Sequence, residues 1–294
     1  MIGEIAAVSA AFLWAVASMI YATLGRRAPA LALNLGKGVI AIALLGMTIV
    51  VQRLDAPALA GRSSLLLLLS GAIGIGFGDT VYLEALRYLG ARRTLLLGTL
   101  APPLSACLAL WFLREQLSPF AWVGIAVTIM GIVWVISERA AETHAVKHQG
   151  LGLFYAVLAS LAQAIGAILS RTALDNTTVS PQWGALLRLA AGVVVVVVWG
   201  VVRRQLQTWW QAMNTTDLLL RLLAASFAGT YLGIWLQQLS LKYTVTGISQ
   251  TLNATSPLFV LPMAVLMGER ISSRAWLGAF VAVIGVGLLL ALTG

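Results

Sequence analysis

Long apolar runs alternate with short polar punctuation along almost the whole chain. Bounded by charges or turn residues, they fall at 3–24, 31–51, 64–86, 94–113, 120–137, 150–173, 182–202, 218–241, 247–267 and 274–293. Each is near the roughly 20 residues that carry a helix across a hydrocarbon core of about 30 Å. The runs are continuously apolar, whereas the strands of a membrane barrel alternate over about ten residues, so an all-helical membrane protein with ten transmembrane helices is predicted. The polar stretch Glu138 to Gln149 divides the spans five and five, giving units 1–137 and 150–294 with a linker at 138–149. Met1-Ile2-Gly3-Glu4 lacks the basic segment of a secretory signal, so the first run is kept as a span.

Composition narrows the function classes. Of 294 residues, 60% are hydrophobic and 10% charged, too few charges to cover a water-exposed surface. A soluble enzyme or nucleic-acid binder is thereby excluded, and the lipid bilayer becomes the expected partner. The net charge of +9 does not argue for nucleic acid, because the bases stand singly or in pairs between apolar runs, as membrane-edge charges do. Twelve of the nineteen Lys and Arg fall in loops on one side and five on the other, which places both termini outside by the positive-inside rule. Cys107, the single cysteine, lies in an apolar run and reads as a core residue. His144-x-x-x-His148 has the spacing of a metal pair, but Ala145 stands where a zincin has Glu and the segment is polar linker. No metal, cofactor or catalytic constellation is expected, and no G-x-x-x-x-G-K-[ST] motif points to ATP.

An internal repeat crosses the linker. At an offset of 154, Pro103, Glu115, Ser118, Trp122, Gly124 and Gly131 match Pro257, Glu269, Ser272, Trp276, Gly278 and Gly285. At 155, Gly74, Gly78 and Tyr88 match Gly229, Gly233 and Tyr243; at 151, Lys37 meets Arg188. A duplicated unit with an odd number of spans inserts upside down with respect to the first copy, so two inverted five-helix repeats are predicted, an architecture of secondary transporters. The motifs Leu-Arg-Glu-Gln-Leu-Ser (113–118) and Met-Gly-Glu-Arg-Ile-Ser (267–272), each preceded by Pro and followed by Trp and Gly, resemble the ends of paired EamA domains of the drug/metabolite transporter superfamily. That resemblance implies an inner-membrane carrier of small metabolites, bacterial amino-acid exporters among its members, without naming a substrate. Carriers of nucleotide-related compounds, sugars or cationic drugs stay open, as does a non-transporting receptor or assembly protein. The chain is expected to act as a monomer on a small-molecule substrate.

Several residues carry candidate chemistry. Gly74-x-x-x-Gly78 and Gly229-x-x-x-Gly233 are small-residue seams for close helix packing, and smooth seams would let one bundle rock against the other. Pro102, Pro103 and Pro257 disturb spans 4 and 9, where freed carbonyls would face a cavity, with Thr99 and Asn253 one turn upstream. Ionisable groups inside a membrane are functional candidates by default. Lys37 and Arg188 sit about 9 Å inside opposite faces, too far apart for one anion to touch both. Asp79, near the middle of span 3, would bind an ammonium or carry a proton for coupling; its structural alternative is a salt bridge to Lys37. Glu84 pairs with Arg87 near a helix end, and Glu115 and Glu269 read as turn and dipole elements. Trp14, Tyr82, Gln163, Tyr231, Trp235 and Gln238 complete an amphipathic pocket of rings and amides. Amino acids head the expected substrates, because this set combines aromatics, amides and one acid.

Overall fold

A computed structural model of the protein describes residues 1–58, 61–115, 117–137, 149–266 and 272–291. The expected linker, apart from Gln149 and including His144 and His148, lies outside the described residues, as does Glu269. Helices α1 (Ile2–Leu24) and α2 (Ala30–Gln52) open the first half. A continuous helical rod follows: α3 (Arg62–Gly71), a π-helical stretch over Ala72–Asp79, and α4 (Thr80–Gly98), with a break at Gly90 where φ is +75°. Then come α5 (Ala101–Phe112) and α6 (Pro119–Ser137). The second half repeats the plan with α7 (Gln149–Leu174), α8 (Pro181–Val202), a short α9 (Leu206–Met213), and a rod of α10 (Thr216–Ala225), a π stretch over Ser226–Leu232 and α11 (Gly233–Tyr243). It closes with α12 (Thr246–Asn253), α13 (Ser256–Leu266) and α14 (Ser273–Ala291). Among the described residues there is no strand.

Among the described residues, six helices are long and apolar enough to cross a membrane: Ile2–Leu24, Ala30–Gln52, Arg62–Ala91, Gly150–Leu174, Pro181–Val202 and Thr216–Tyr243. Shorter apolar helices cover Ala101–Phe112, Pro119–Gly131 and Trp276–Val286. The expected spans 94–113 and 247–267 are each in two pieces, interrupted at 99–100 and 254–255. Proline explains both breaks. Pro102 sits at the start of α5 and Pro257 at the start of α13, where a missing N–H costs nothing but an unbroken helix could not continue.

Packing is reciprocal between the halves. α1 lies against α11 and the second π stretch, while α7, its counterpart, lies against α3, α4 and the first π stretch. α2 packs on α8, and α6 on α14. Lipid is as apolar as leucine, so such contacts form through close approach of small residues rather than through hydrophobic drive. Thus α1 buries Ala6, Ala7, Ala10, Ala11, Ala15 and Ala17. The α6–α14 crossing rests on two glycines at matching repeat positions: a Cβ on Gly131 would run into the Ala282 backbone, and one on Gly285 into Thr128.

The π stretches sit at matching positions in the two halves; the first contains Gly74 and Gly78, and the second contains Gly229 and ends just before Gly233. A π turn leaves carbonyls misaligned with their helical donors, and here side chains take them up. Asn34 Nδ2 donates to Ile75 O at 2.9 Å, and Trp14 Nε1 to Gly229 O at 2.8 Å. We predict that Gly131→Leu or Gly285→Leu, by wedging α6 from α14, lowers the unfolding temperature in detergent by many degrees. Gly46→Leu, with nothing within 4 Å of its Cβ position, should leave it nearly unchanged; equal shifts in all three would remove the crossing from the account.

Candidate functional site

A cavity of about 170 Å³ lies between the halves, among α1, α2, both π stretches, α4, α7, α8, α11 and the breaks before α5 and α13. Its size is below the roughly 300–1,000 Å³ of drug-sized sites. On the first-half wall, polar groups satisfy one another. Lys37 Nζ on α2 is ion-paired with Asp79 Oδ2 at the end of the first π stretch, the lysine side chain 7% and the carboxylate 25% exposed. Ser18 Oγ and Tyr82 Oη share a hydrogen bond of 2.8 Å, and the Tyr21 hydroxyl bonds Thr230 Oγ1 at 3.0 Å. Asn34 spans from the freed Ile75 carbonyl to Thr80 Oγ1, at 2.8 Å, tying α2 to the rod that presents Asp79.

The second-half wall is different. Arg188 on α8 is only 2% exposed, yet no carboxylate among the described residues lies within ion-pair distance of it. Its Nη1 donates to Gln237 Oε1 at 3.2 Å, and its Nε has no partner. Gln237 Nε2, Gln250 Nε2 and both amide atoms of Asn253 are also buried without a partner. A charge in a membrane interior costs roughly 3 kcal/mol on insertion scales, and buried amides left unpaired cost about 1–3 kcal/mol each. Glycine makes room for the guanidinium: a Cβ on Gly74 would stand 3.1 Å from Arg188 Nη2, and one on Gly166 at 3.4 Å.

Twelve of the expected site residues line this cavity: Trp14, Lys37, Gly74, Gly78, Asp79, Tyr82, Pro102, Gln163, Arg188, Gly229, Asn253 and Pro257. Lys37 and Arg188 therefore face one space, contrary to the expectation that an inverted pair would be kept apart. Each is the eighth residue of its helix, about 10 Å in from its end, which brings both toward the middle. Tyr231, Trp235 and Gln238 do not line the cavity. Tyr231 turns toward α2, its hydroxyl 2.7 Å from Thr48 Oγ1, and its ring packs at a tilt against Phe227 and Trp235. Gln238 is fully buried beside Gly184. The π turn supplies the reason: its extra residue re-aims the rod, so Thr230 and Gln237 point inward in place of their neighbours. Thr99 is buried outside the lining, Pro103 is not part of it, and Gly233 accommodates the Trp14 indole, whose Nε1 would be 2.6 Å from a Cβ there.

Sequence reasoning missed Ser18, Tyr21, Thr230, Gln237, Gln250 and Ser256. The signal for Gln250 was the run of polar residues in 246–253, all of them buried. Glu84 pairs with Arg87 at 3.7 Å as expected. Glu115, expected to be a turn and dipole element, does more. Its Oε2 accepts from Thr246 N at the start of α12, at 2.8 Å, and its Oε1 from Arg171 Nε, at 2.9 Å. Arg171 also holds the carbonyls of Leu241 and Lys242. This cluster fastens the α5–α6 turn of the first half to the second half.

Compared with known families, residues 1–137 and 150–291 each match the model of the EamA-like transporter family. The chain belongs to that family. It is an integral, multi-pass membrane protein of a transporter family, in keeping with the six long apolar helices among the described residues. No curated protein sequence matches the chain. A solved structure described only as "Crystal structure of protein" superposes with a TM-score of 0.76 at 15% identity, covering 99% of this chain and 96% of that one, which shows a shared fold.

In this EamA-like chain the Lys37–Asp79 pair holds a buried ammonium and a partly exposed carboxylate against the cavity. Asp79→Asn strands a buried ammonium, and the expected loss is about 2–4 kcal/mol, discounted because the carboxylate is partly exposed. Lys37→Met combined with Asp79→Leu should recover most of that loss in thermal or denaturant unfolding. If the double variant is as unstable as the single one, the pair is not the source of the cost.

Proposed function

We propose that the protein is a secondary transporter that exports small amphipathic metabolites, amino acids foremost, from a bacterial cell across the inner membrane. In this reading ten helices form two inverted five-helix repeats, with short, interrupted helices completing the fourth, fifth, ninth and tenth crossings. The chain works as a monomer, without cofactor, by alternating access around the central cavity. The observation that carries the reading is the cavity between the halves, lined by one acid, two bases, two hydroxylated rings, an indole and several amides. Apolar contact together with hydrogen bonding suits a small molecule with one polar end and one apolar end.

Two features support movement of the halves against each other. The glycine seam at 74–78 lies in a π stretch and the one at 229–233 begins in the other, a local geometry common at functional sites. The Glu115–Arg171–Thr246 cluster is a polar fastening between the halves that can be broken and remade, unlike an interdigitated apolar core. Broken helices at the cavity resemble the binding elements of other inverted-repeat carriers. Asp79 is the group through which a proton gradient would act, exchanging its partner Lys37 for a proton or a substrate ammonium.

Flux into liposomes of a panel of labelled amino acids, with and without a pH gradient, tests the proposal. Saturable counterflow is expected for at least one of them. Gly78→Leu, which would crowd Ala162 across the seam, should reduce it at least tenfold while the protein still folds. Absence of flux for the whole panel, or full flux in a well-folded Gly78→Leu protein, would contradict it.

A further inference from the structure

The charged residues that line the cavity are Lys37, Asp79 and Arg188. Lys37 and Asp79 neutralise each other at contact distance, so among the described residues the lining carries one positive charge without an ion-pair partner, on Arg188. That guanidinium has five donors in a planar fork, of which one is used, by the Gln237 carbonyl oxygen. Gln237 holds its own Nε2 free beside it, and across the cavity Gln250 Nε2 and the Asn253 amide are equally unpartnered. All four residues are at least 97% buried.

We propose that Arg188, positioned by Gln237, is a carboxylate-binding subsite, and that the ligand this cavity takes is a small molecule with one free carboxylate. The inference rests on the transporter reading above and adds to it the group that the substrate must present. A planar carboxylate matches the Arg fork with two parallel hydrogen bonds, and the Gln237 amide adds a third donor to one of its oxygens. A single carboxylate offsets the Arg188 charge locally, whatever group the ligand carries at its other end; a dianionic phosphate would overshoot it in a low-dielectric space. The starts of α5 and α13, with Ala101, Pro102, Ser256 and Pro257 on the lining, add the positive ends of two half-helices to the same preference. The notch at Gly74 and Gly166 serves the subsite by leaving room for Nη2. Gln250 and Asn253 are left to receive whatever polar group lies at the ligand's other end.

A structural alternative makes Arg188 a tie between α8 and α11 through Gln237. The two roles separate in thermal unfolding of the full chain in detergent, titrated with matched pairs: acetate and acetamide, butyrate and butyramide, 3-phenylpropionate and its amide, L-phenylalanine and L-phenylalaninamide. At least one carboxylate should raise the melting temperature saturably while its amide does not. Arg188→Gln should weaken that binding by about tenfold or more, with Arg188→Lys intermediate and Gly74→Ala also weakened. Unliganded Arg188→Gln should melt at or above the parent temperature, because an unpaired buried charge has been removed. Amides as effective as carboxylates, no saturable carboxylate effect, or undiminished binding in Arg188→Gln overturns the subsite, and the matched pairs do so on the parent protein alone. The transporter reading fails separately. Arg188-dependent carboxylate binding without amino-acid flux leaves the subsite and removes amino acids as substrates, whereas flux that survives Arg188→Gln does the reverse.

Discussion

A positive charge held out of water inside a membrane protein is the constraint around which this structure is arranged. The chain has few charges, and most of them reach its surface or the ends of its helices. Three do not. Two of those, Lys37 and Asp79, solve the problem by pairing across neighbouring helices. The third, Arg188, is held by one amide oxygen and a notch of missing side chains. The two walls of the cavity differ for this reason: the first half brings hydrogen bonds already made, and the second brings donors still to be used.

The backbone geometry follows from the need to bring those groups together. Helices in lipid approach closely only where side chains are small, and glycine lies close against backbone at Gly71 beneath Arg188 and at Gly131 and Gly285 between α6 and α14. A glycine-rich rod can widen into a π turn, and that turn costs intrahelical hydrogen bonds that Asn34 and Trp14 restore from outside. The same widening sets which residues of the rod face the cavity. Packing, backbone repair and the chemistry of the site thus share the same few residues.

Much of this is legible in the sequence, because lipid imposes simple rules. The apolar runs give the helices, and the offsets of 154 and 155 give the duplication, since matched Pro, Glu, Trp and Gly residues do not coincide by chance in apolar chains. Asp79 and Lys37 stand out for the rarity of buried charge, and their pairing is one of two outcomes the positions allow. What the sequence hides is rotation. Hydrophobic periodicity assumes 3.6 residues per turn, so it cannot tell Gln237 from Gln238 or Thr230 from Tyr231 once a π turn intervenes. Nor does periodicity reveal that 246–253 is a polar yet buried segment, because burial against another helix and exposure at a membrane edge call for similar residues. Glu115 is recognisable as a turn residue, but its partners Arg171 and Thr246 lie far along the chain and no local pattern announces them.

The most direct test of the account is an experimental structure of the protein with 3-phenylpropionate or L-phenylalanine bound. The account predicts the ligand's carboxylate within about 2.7–3.2 Å of Arg188 and Gln237, with the Lys37–Asp79 pair intact in the phenylpropionate complex. A ligand whose carboxylate lies away from Arg188, or an Arg188 that turns to pair with Asp79 when the cavity fills, would contradict it.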